Sequence, residues 1–441
     1  MPNPIQTKQK ARPSAARITE NRTTNKGRER SHGRLSKRRK KARKEQRQKL
    51  RAAICRQRQR ARGLDEKALH KVSKSVFGGL LHHKQVLSLA LVALGVIYTV
   101  RLTIHAVGTA MAQVRGHARP KHGIKQVDRY MSNAKVKPVV LREGLVRAVV
   151  GKRKRIEVTM DWTGHDKDDQ TTLIISLLLR RRGRATPLVW VTEKKSELKD
   201  RQKESERTVL QKLRDALPKD VRVTVLADRG FGDTGTFDHL LDMPGFDFVI
   251  RFRSNIIVTA DGQRAKAKEL VPRNGRFRVL ESAQLTAGKK GPYTVVLYKA
   301  RGMKDSWCLA TNLSTADGRD IVDRYARRFE CEEGFRDLKD WRFGLALNYT
   351  RIGSDVRRER LLFAFALAVY LLTLVGAASE QLGMDRQLRA NTSKRRTHSL
   401  FRQGREIVKG ALPDVFEYQC FQLVRLMLAA ALTKGFCHAI S

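Results

Sequence analysis

The chain has 441 residues, with 91 Lys and Arg against 43 Asp and Glu, which gives a formal net charge of +48 at pH 7. This length exceeds what one hydrophobic core usually holds, so we expect several domains. A chain so far from neutrality repels itself unless a polyanion lies nearby, which favours nucleic acid as the partner and disfavours a protein that acts without one. Charge alone does not distinguish an enzyme from a passive coat.

The basic residues are densest at the amino terminus. Residues 1–67 contain 24 Lys and Arg against 5 Asp and Glu, a net charge of +19, with few large apolar side chains. Such a segment cannot bury enough surface to offset the entropy of ordering, so we predict a disordered tail, or a frayed helix that orders on DNA. A solvated tail with no specific role is the alternative. No apolar run follows the basic residues, so we expect no secretory signal.

Residues 68–150 have a helical pattern and predict a small all-α domain. No set of residues within it identifies a recognition helix. Its most apolar stretch, Val86 to Val100, and a second one, Leu361 to Ser379, raise the question of a membrane span. We favour buried core helices for both, because charged residues flank or interrupt them and an all-round apolar helix also suits the centre of a large soluble protein.

From Gly151 the pattern changes to strands. Aliphatic and β-branched runs predict three successive strands, Arg155 to Thr163, Thr171 to Leu179 and Thr186 to Thr192. A charged helix, a strand that ends near Asp228, a second helix and a strand from Phe246 follow. This β-β-β-α-β-α-β order is typical of a mixed sheet with flanking helices. Residues 255–311 then alternate β-like runs with Gly and Lys turns, which predicts a β-rich insertion.

Two aspartates stand where predicted strands end. Asp161 follows the alternating residues Ile156, Val158 and Met160, and Asp228 follows a similar run. If their strands are neighbours, the two carboxylates converge, and carboxylate oxygens suit Mg²⁺ or Mn²⁺ in phosphoryl transfer. A turn or helix-capping role remains open for each aspartate taken alone. The residues just after the first one, His165 to Asp169, are interpreted as a solvated turn.

A glutamate with suitable neighbours lies on a predicted helix further along the chain. At about 100° per residue, Tyr325, Arg328, Glu332 and Lys339 fall on one narrow stripe of that helix, whereas the neighbouring glutamates 330 and 333 fall outside it. One acid beside an aromatic hydroxyl and two cations suits a phosphate backbone held around a metal. An ordinary solvated helix face remains an equal alternative.

These four residues carry a resemblance to a known family. Tyr-x2-Arg-x3-Glu-x6-Lys is the signature of the insertion sequence 4 family of DDE transposases, and Tyr325, Arg328, Glu332 and Lys339 match it at every position. The segment Val-Thr-Met-Asp-Trp-Thr around Asp161 resembles the family's first-aspartate strand. Leu-Ala-Asp-Arg-Gly-Phe, which contains the second aspartate, resembles its second. The resemblance leaves only the basic tail unmatched.

The resemblance implies an α/β fold with a ribonuclease-H-like catalytic domain over residues 151–350, which contains the β-rich insertion at 255–311. It also implies a DNA-end-binding role for residues 68–150 and a helical region, 351–441, that packs on the core and contributes to dimerisation. Asp161, Asp228 and Glu332 would be the catalytic residues and would hold two Mg²⁺ ions, with Mn²⁺ as a substitute. Contacts with DNA would come from Tyr325, Arg328, Lys339 and Trp307, the last as a stacking residue.

The implied function is cut-and-paste transposition of an insertion sequence, with strand cleavage and 3′-end transfer on terminal inverted repeats and target DNA. The partner would be DNA, bound by a homodimer on paired ends, and we expect no membrane. The five scattered cysteines form no zinc-binding spacing, which favours a reduced, cytosolic setting. The resemblance implies a cytoplasmic, nucleoid-associated protein of a prokaryote. No P-loop or dinucleotide motif is present in the sequence, so we expect no nucleotide cofactor. The alternative is a non-catalytic or decayed nucleic-acid-binding protein derived from a transposase.

Overall fold

The computed structural model describes residues 41, 42, 44–46, 48, 66–99, 101–117, 119–179, 184–313, 317–340, 344–394, 396–410, 419, 420, 422–424, 426 and 427. The few described residues of the predicted tail are helical, and the rest of residues 1–67 lie outside the described part of the chain. The predictions for these residues therefore stay untested. The same holds for much of the predicted helical region beyond residue 410.

Within residues 66–150, the described part of the chain forms five helices before the first strand, and the pattern of residues 68–150 predicts helices there. Their bounds are α1 Glu66–Phe77, α2 His83–Thr99, α3 Ile104–Val114, α4 Lys121–Ser132 and α5 Pro138–Val150. The helices α3 and α4 approach closely at two glycines: a Cβ on Gly123 would lie 1.9 Å from the carbonyl oxygen of Gly108. Only glycine permits so short a distance between two helix backbones.

A mixed sheet of ten strands forms the centre of the molecule. The strands are β1 Arg155–His165, β2 Gln170–Leu177, β3 Thr186–Lys194, β4 Arg222–Ala227, β5 Phe246–Arg251, β6 Ile257–Ala260, β7 Gln263–Lys266, β8 Phe277–Leu285, β9 Lys290–Tyr298 and β10 Trp307–Thr311. Their spatial order is β3-β2-β1-β4-β5-β10-β9-β8-β6-β7. The pairs β1–β4 and β4–β5 are parallel, and all other neighbours are antiparallel. The predicted β-rich insertion therefore continues the same sheet through the β5–β10 pair.

The remaining helices flank this sheet or follow it. They are α6 Leu198–Ala216, α7 Thr234–Asp242, the single turn α8 Ala267–Leu270, α9 Gly318–Ala326, α10 Phe329–Lys339, α11 Asp355–Gln381 and α12 Leu400–Val408. Side-chain caps define several of their starts: Asp233 accepts from the amide of Thr236, and Ser399 accepts from that of Arg402. Short polar side chains at such positions satisfy amides that have no partner within the helix.

The alternation of side chains along the strands separates two faces of the sheet. On β4, Val223 and Val225 join the core that contains the apolar residues of α6 and α7. The intervening residue Leu226 joins a second cluster with Ile321 and Tyr325 of the α9 segment. Because successive side chains point to opposite faces, a residue two positions beyond Leu226 lies on the α9 face as well. This alternation therefore places the side chain of Asp228 on the α9 face of the sheet.

The long apolar helix α11 lies in the core, as predicted for Leu361 to Ser379. It packs against α12, β3 and α2. Of the described helices, α11 is the one that is long and apolar enough to span a bilayer by itself. Helices α2 and α3 would form a second candidate only if they were one span together, and the angle between them is 101°. However, 94% of the apolar window of α11 is buried inside the structure. This burial supports the interpretation as a core helix.

The interpretation of residues 165 to 169 as a solvated turn is wrong for His165 and Asp168. The side chain of His165 is buried, and Asp168 forms an ion pair of 2.5 Å with Arg358, whose side chain is fully buried. Arg358 also donates to Gln170 and to the carbonyl of Ile352. These contacts connect the β1–β2 turn to the start of α11. A partner 190 residues away along the chain is not visible in a local sequence pattern.

Candidate functional site

Strand pairing places Asp161 beside Asp228. In the parallel β1–β4 pair, Met160 lies opposite Ala227. Asp161 and Asp228 directly follow these two residues along the chain. Asp161 still lies within β1, and Asp228 follows the last residue of β4. By the alternation of the sheet, both side chains lie on the face that α9 and α10 cover. The sequence pattern predicts that a strand ends at each aspartate, which is wrong for Asp161, because β1 continues to His165; the structure shows that the two strands are neighbours.

Local hydrogen bonds orient both carboxylates. Oδ1 of Asp161 accepts from the amide of Trp162 at 2.8 Å, and Oδ1 of Asp228 accepts from the amide of Gly230, also at 2.8 Å. A Cβ on Gly230 would lie 3.0 Å from that same oxygen of Asp228, so glycine leaves room for the carboxylate. Asp228 therefore has the turn role that the sequence left open. Its side chain also lies on the face of the sheet that α10 covers.

The charges around Asp161 raise its pKa. Burial is the largest cause, and the charge of Asp228 is the second; together with Glu332 they bring the pKa from 3.8 to about 6. The guanidinium of Arg328 and the amide of Trp162 act in the opposite direction. Three carboxylates on three different elements thus affect one another electrostatically. Such mutual repulsion within a partly buried cluster is typical of functional sites, where a cation relieves it.

The predicted single helix through Tyr325 and Lys339 is wrong, because the structure has two helices. The helix α9 ends at Ala326 and α10 begins at Phe329. The amides of residues 327, 328, 330 and 331 each bond to the carbonyl three residues earlier, which tightens the backbone into two consecutive turns. Residues 327 and 328 nevertheless keep right-handed helical dihedral angles. The side-chain phase across the break therefore stays close to that of one helix.

Arg328 lies at this break, between two of the acids. Its Nη1 lies 3.4 Å from Oδ2 of Asp161, and its Nη2 lies 2.6 Å from Oε1 of Glu332. The side chain is 7% exposed, its guanidinium packs over the rings of Tyr325 and Phe329, and Nε has no partner among the described atoms. Arg328 therefore neutralises part of the carboxylate charge in this structure.

The three glutamates of α10 have different partners. Glu332 faces Arg328 and the aspartates, and its side chain is 47% exposed. Glu333 pairs with Arg184 at 3.3 Å and with Arg336 at 2.7 Å. Glu330 lies 3.8 Å from Arg327 and is largely buried. Of these glutamates, Glu332 is the one that combines exposure to solvent with proximity to Asp161.

Aromatic side chains adjoin the acids. The ring centroids of Trp307 and Tyr325 are 4.9 Å apart in an edge-on arrangement, and those of Trp307 and Phe329 are 6.3 Å apart. Tyr325 is buried, which raises the pKa of its hydroxyl, and Arg328 is a hydrogen-bond partner of that hydroxyl. Phe329, in contrast, is 45% exposed. The sequence reasoning missed Phe329, although a large aromatic residue next to Arg328 was visible in the motif.

Lys339 is the last residue of α10 and lies further along β1. Its charge contributes to lowering the pKa of His165 to about 3, after the larger effects of burial and of Arg358. His165 is four residues beyond Asp161 and on the same face of the strand. The predicted residues thus lie around the acids and Arg328, with Trp307 and Tyr325 beside Arg328 and with Lys339 near His165 at the end of β1.

The donors at this centre suit a divalent cation by their chemistry, but they are not assembled into a metal site. Carboxylate oxygens are the ligands that Mg²⁺ prefers, and the raised pKa of Asp161 reflects negative charge that a cation would relieve. No group of three His, Cys, Asp or Glu side chains within the described residues has the spacing of metal ligands. Arg328 supplies positive charge between Asp161 and Glu332.

Comparison with known proteins relates part of this chain to a protein family. No curated protein matches this chain. A family model described as "Transposase DDE domain" matches residues 197–369. The match contains Asp228 and Glu332, together with Tyr325, Arg328 and Lys339, and it begins after Asp161. The chain therefore carries, in residues 197–369, a segment that matches the transposase DDE domain.

Proposed function

We propose that the chain is a DNA transposase of the insertion sequence 4 type, which cleaves the ends of a mobile element and transfers its 3′ ends to target DNA. One observation carries the proposal: Asp161 and Asp228 lie side by side where the parallel pairing of β1 and β4 ends, on the face where α10 brings the charge of Glu332 close to Asp161. The match of residues 197–369 to the transposase DDE domain supports this assignment independently.

The order of the first five strands supports a ribonuclease-H-like core. Three antiparallel strands, β3-β2-β1, continue into two parallel ones, β4 and β5, with helices on both faces. In such sheets, functional residues gather where the parallel strands end. The strands between β5 and α9 would then be the β-rich insertion of the catalytic domain. The helices α1 to α5 would bind element ends, and a homodimer would hold two ends together.

Asp161, Asp228 and Glu332 would hold Mg²⁺, with Mn²⁺ as a substitute. When bound, two such ions activate an attacking oxygen and stabilise a leaving one in phosphoryl transfer. The protein's own part would be to position the three carboxylates. Arg328, which lies between Asp161 and Glu332, would contact a phosphate group there, which suits its planar set of donors. Lys339 would add a second phosphate contact, and Tyr325 would hold Arg328 in place.

Trp307 would stack on a base of distorted DNA near the acids. It lies on the α9 face next to Tyr325, with Phe329 exposed beside it. Aromatic faces stack on bases without strong sequence preference, with about 1–3 kcal/mol per base. We expect Trp307→Ala to slow the step that needs a distorted end and to leave nicking of the first strand closer to wild type.

The test of the proposal is cleavage of the chain's own element ends with Mg²⁺. Asp161→Asn, Asp228→Asn and Glu332→Gln should each abolish cleavage and leave DNA affinity largely unchanged, because the acids are needed for the metal and not for DNA binding. Full cleavage by any of the three variants would refute the assignment.

The two cations of the motif, Arg328 and Lys339, should contribute to DNA binding and not to metal binding. Arg328→Ala and Lys339→Ala should weaken end processing without unfolding the protein, and each should reduce the salt dependence of DNA binding by about one phosphate contact. A wild-type salt dependence in both variants would contradict a phosphate role.

A non-catalytic nucleic-acid-binding protein derived from a transposase is the second candidate. The observation in its favour is the Arg328 side chain, which pairs with Asp161 and Glu332 where a metal would have to enter. Short inverted repeats around the coding region, with a target duplication outside them, would favour the mobile element. Their absence, together with no cleavage by the wild-type protein, would favour the second candidate.

A further inference from the structure

A groove lined by cations lies beside the acids and is not used by the chemistry proposed above. It has a volume of about 560 Å³, and its cationic side chains are Arg229, Arg251, Arg253, Lys299 and Lys304. One acid, Asp305, lines it as well. We call this feature the basic groove. A concentration of five positive side chains around one negative one is the electrostatic pattern of a polyanion-binding surface.

The sheet topology assembles the basic groove from four adjacent strand ends. Arg229 follows β4, Arg251 and Arg253 lie at the end of β5, Lys304 precedes β10, and Lys299 follows β9. These strands are neighbours in the order β4-β5-β10-β9. At about 4.8 Å between strands the cations extend over about 14 Å, which equals the rise of about four phosphates along one DNA strand.

Few of these charges are neutralised within the protein. Asp305 lies 3.9 Å from Arg229 and 3.7 Å from Arg251, both long distances for an ion pair. Among the described residues, no acid forms an ion pair with Arg253, Lys299 or Lys304, and all three side chains are exposed. Three exposed cations that repel one another on one surface favour an external anion.

The basic groove is continuous with the proposed active site. Arg229 is the residue after Asp228, and Ser306, which lines the groove, precedes Trp307. The guanidinium of Arg251 donates to the carbonyl of Ser306 at 3.0 Å, and its charge reaches the hydroxyl of Tyr325. A nucleic-acid backbone in the groove would therefore run directly to the acids and to the aromatic side chains.

We propose that the basic groove binds the phosphate backbone of the DNA strand that enters the active site. This inference rests on the proposed function for the identity of the polyanion as DNA. The groove supplies positioning without base recognition, because its cations contact phosphates and not base edges. It adds to the catalytic domain a DNA contact that is separate from the helices α1 to α5 and from the basic tail.

The test compares two triple variants of the full chain with the same change in charge. The groove variant is Arg253→Gln, Lys299→Gln and Lys304→Gln. The matched control is Arg264→Gln, Lys289→Gln and Lys290→Gln, which removes one arginine and two lysines from exposed positions at the far side of the insertion. Both variants must show the circular dichroism spectrum and melting temperature of the wild-type protein.

The first measurement is the affinity for labelled duplex DNA of mixed sequence over a series of salt concentrations. The groove variant should lower the slope of log K against log salt by about 2 to 3, at about 0.9 per phosphate contact, and the control should leave it near wild type. Equal changes in the two variants would refute the proposal. So would a groove variant that loses affinity for a structured RNA and keeps its affinity for DNA.

A second measurement does not depend on the charge of the basic tail, which is the same in all variants. Ser254→Cys places a thiol in the groove, and Gln263→Cys places one on the outermost strand, β7. DNA that carries an activated disulfide on a backbone tether should exchange with the thiol of the first variant, with release of the activating thiol, and not with the second variant or with the unmodified chain. Equal crosslinking of both variants would refute the proposal.

The outcomes also separate this inference from the proposed function. If the wild-type protein cleaves element ends and the groove variant binds and cleaves DNA equally well, the groove inference is refuted and the proposed function is not. If the wild-type protein does not cleave but the groove variant loses DNA contacts selectively, the proposed function fails and the groove inference stands.

Discussion

Replacing Asp161 with asparagine should stabilise the metal-free protein at neutral pH, although the same change removes a proposed metal ligand. The pKa of Asp161 is about 6 in the folded protein, against an ordinary value of 3.8. Folding therefore favours the protonated acid. The contribution of this group to the free energy of unfolding is fully present below about pH 4 and is lost as the pH rises through about 6. Asparagine resembles the protonated acid and keeps that contribution.

The size of the effect follows from the pKa shift. A shift of about 2 units corresponds to about 3 kcal/mol at 1.36 kcal/mol per unit. The side chain of Asp161 is 20% exposed, so solvent screening reduces this figure little. The gain in the free energy of unfolding should reach about 3 kcal/mol at pH 8 and be roughly half as large at pH 5. At about 2.1 cal/mol/K per residue, a chain of 441 residues has an unfolding entropy of about 0.9 kcal/mol/K, so we expect a rise in melting temperature of about 3 °C at pH 8.

The assay is thermal unfolding of both proteins between pH 5 and pH 8 with a chelator present, and again with Mg²⁺. Mg²⁺ should stabilise the wild-type protein more than the variant, because ligand binding to the folded state adds stability. Asp323→Asn, at an exposed surface pair, should behave as the wild-type protein does. A variant that is less stable than wild type at pH 8, or a difference that does not change with pH, would refute the reasoning.

Two further predictions concern the scaffold. Asp168→Asn leaves the fully buried Arg358 without its ion-pair partner, so the free energy of unfolding should fall by about 3–5 kcal/mol. A denaturant titration measures this loss. A loss below about 1 kcal/mol would show that the ion pair is not buried as described. Gly123→Ala places a Cβ 1.9 Å from the carbonyl oxygen of Gly108 and should lower the melting temperature by several degrees. The control is Gly353→Ala, whose added Cβ would have no atom within 4 Å and should not change the melting temperature. Equal melting temperatures for the two variants would contradict the close approach of α3 and α4.

The strands around Asp161 and Asp228 could be predicted because their signal is local. Alternating aliphatic residues before the two acids indicate strands, and the structure has β1 and β4 there, although β1 continues past Asp161 to His165. That the two strands are parallel neighbours is a non-local fact, which the sequence pattern does not contain. The same holds for the insertion, whose β-rich composition was visible but whose attachment to β5 through β10 was not.

The break between α9 and α10 shows the limit of reasoning from helical phase. The phase grouped Tyr325, Arg328 and Glu332 correctly in space, because residues 327 and 328 keep helical dihedral angles. It did not reveal the break, since a change of hydrogen-bond partner from four residues back to three leaves no mark in the pattern of apolar residues. The Arg328 contacts with both acids depend on this geometry and were therefore not predictable.

The most direct test of the proposed function compares Glu332→Gln with Glu333→Gln in cleavage of the native element ends with Mg²⁺. The two glutamates are adjacent on α10, but Glu332 faces Asp161 and Glu333 pairs with Arg184 and Arg336. The proposed function predicts that Glu332→Gln loses cleavage and retains DNA binding, and that Glu333→Gln cleaves close to the wild-type level. Cleavage by Glu332→Gln at the wild-type rate would contradict it.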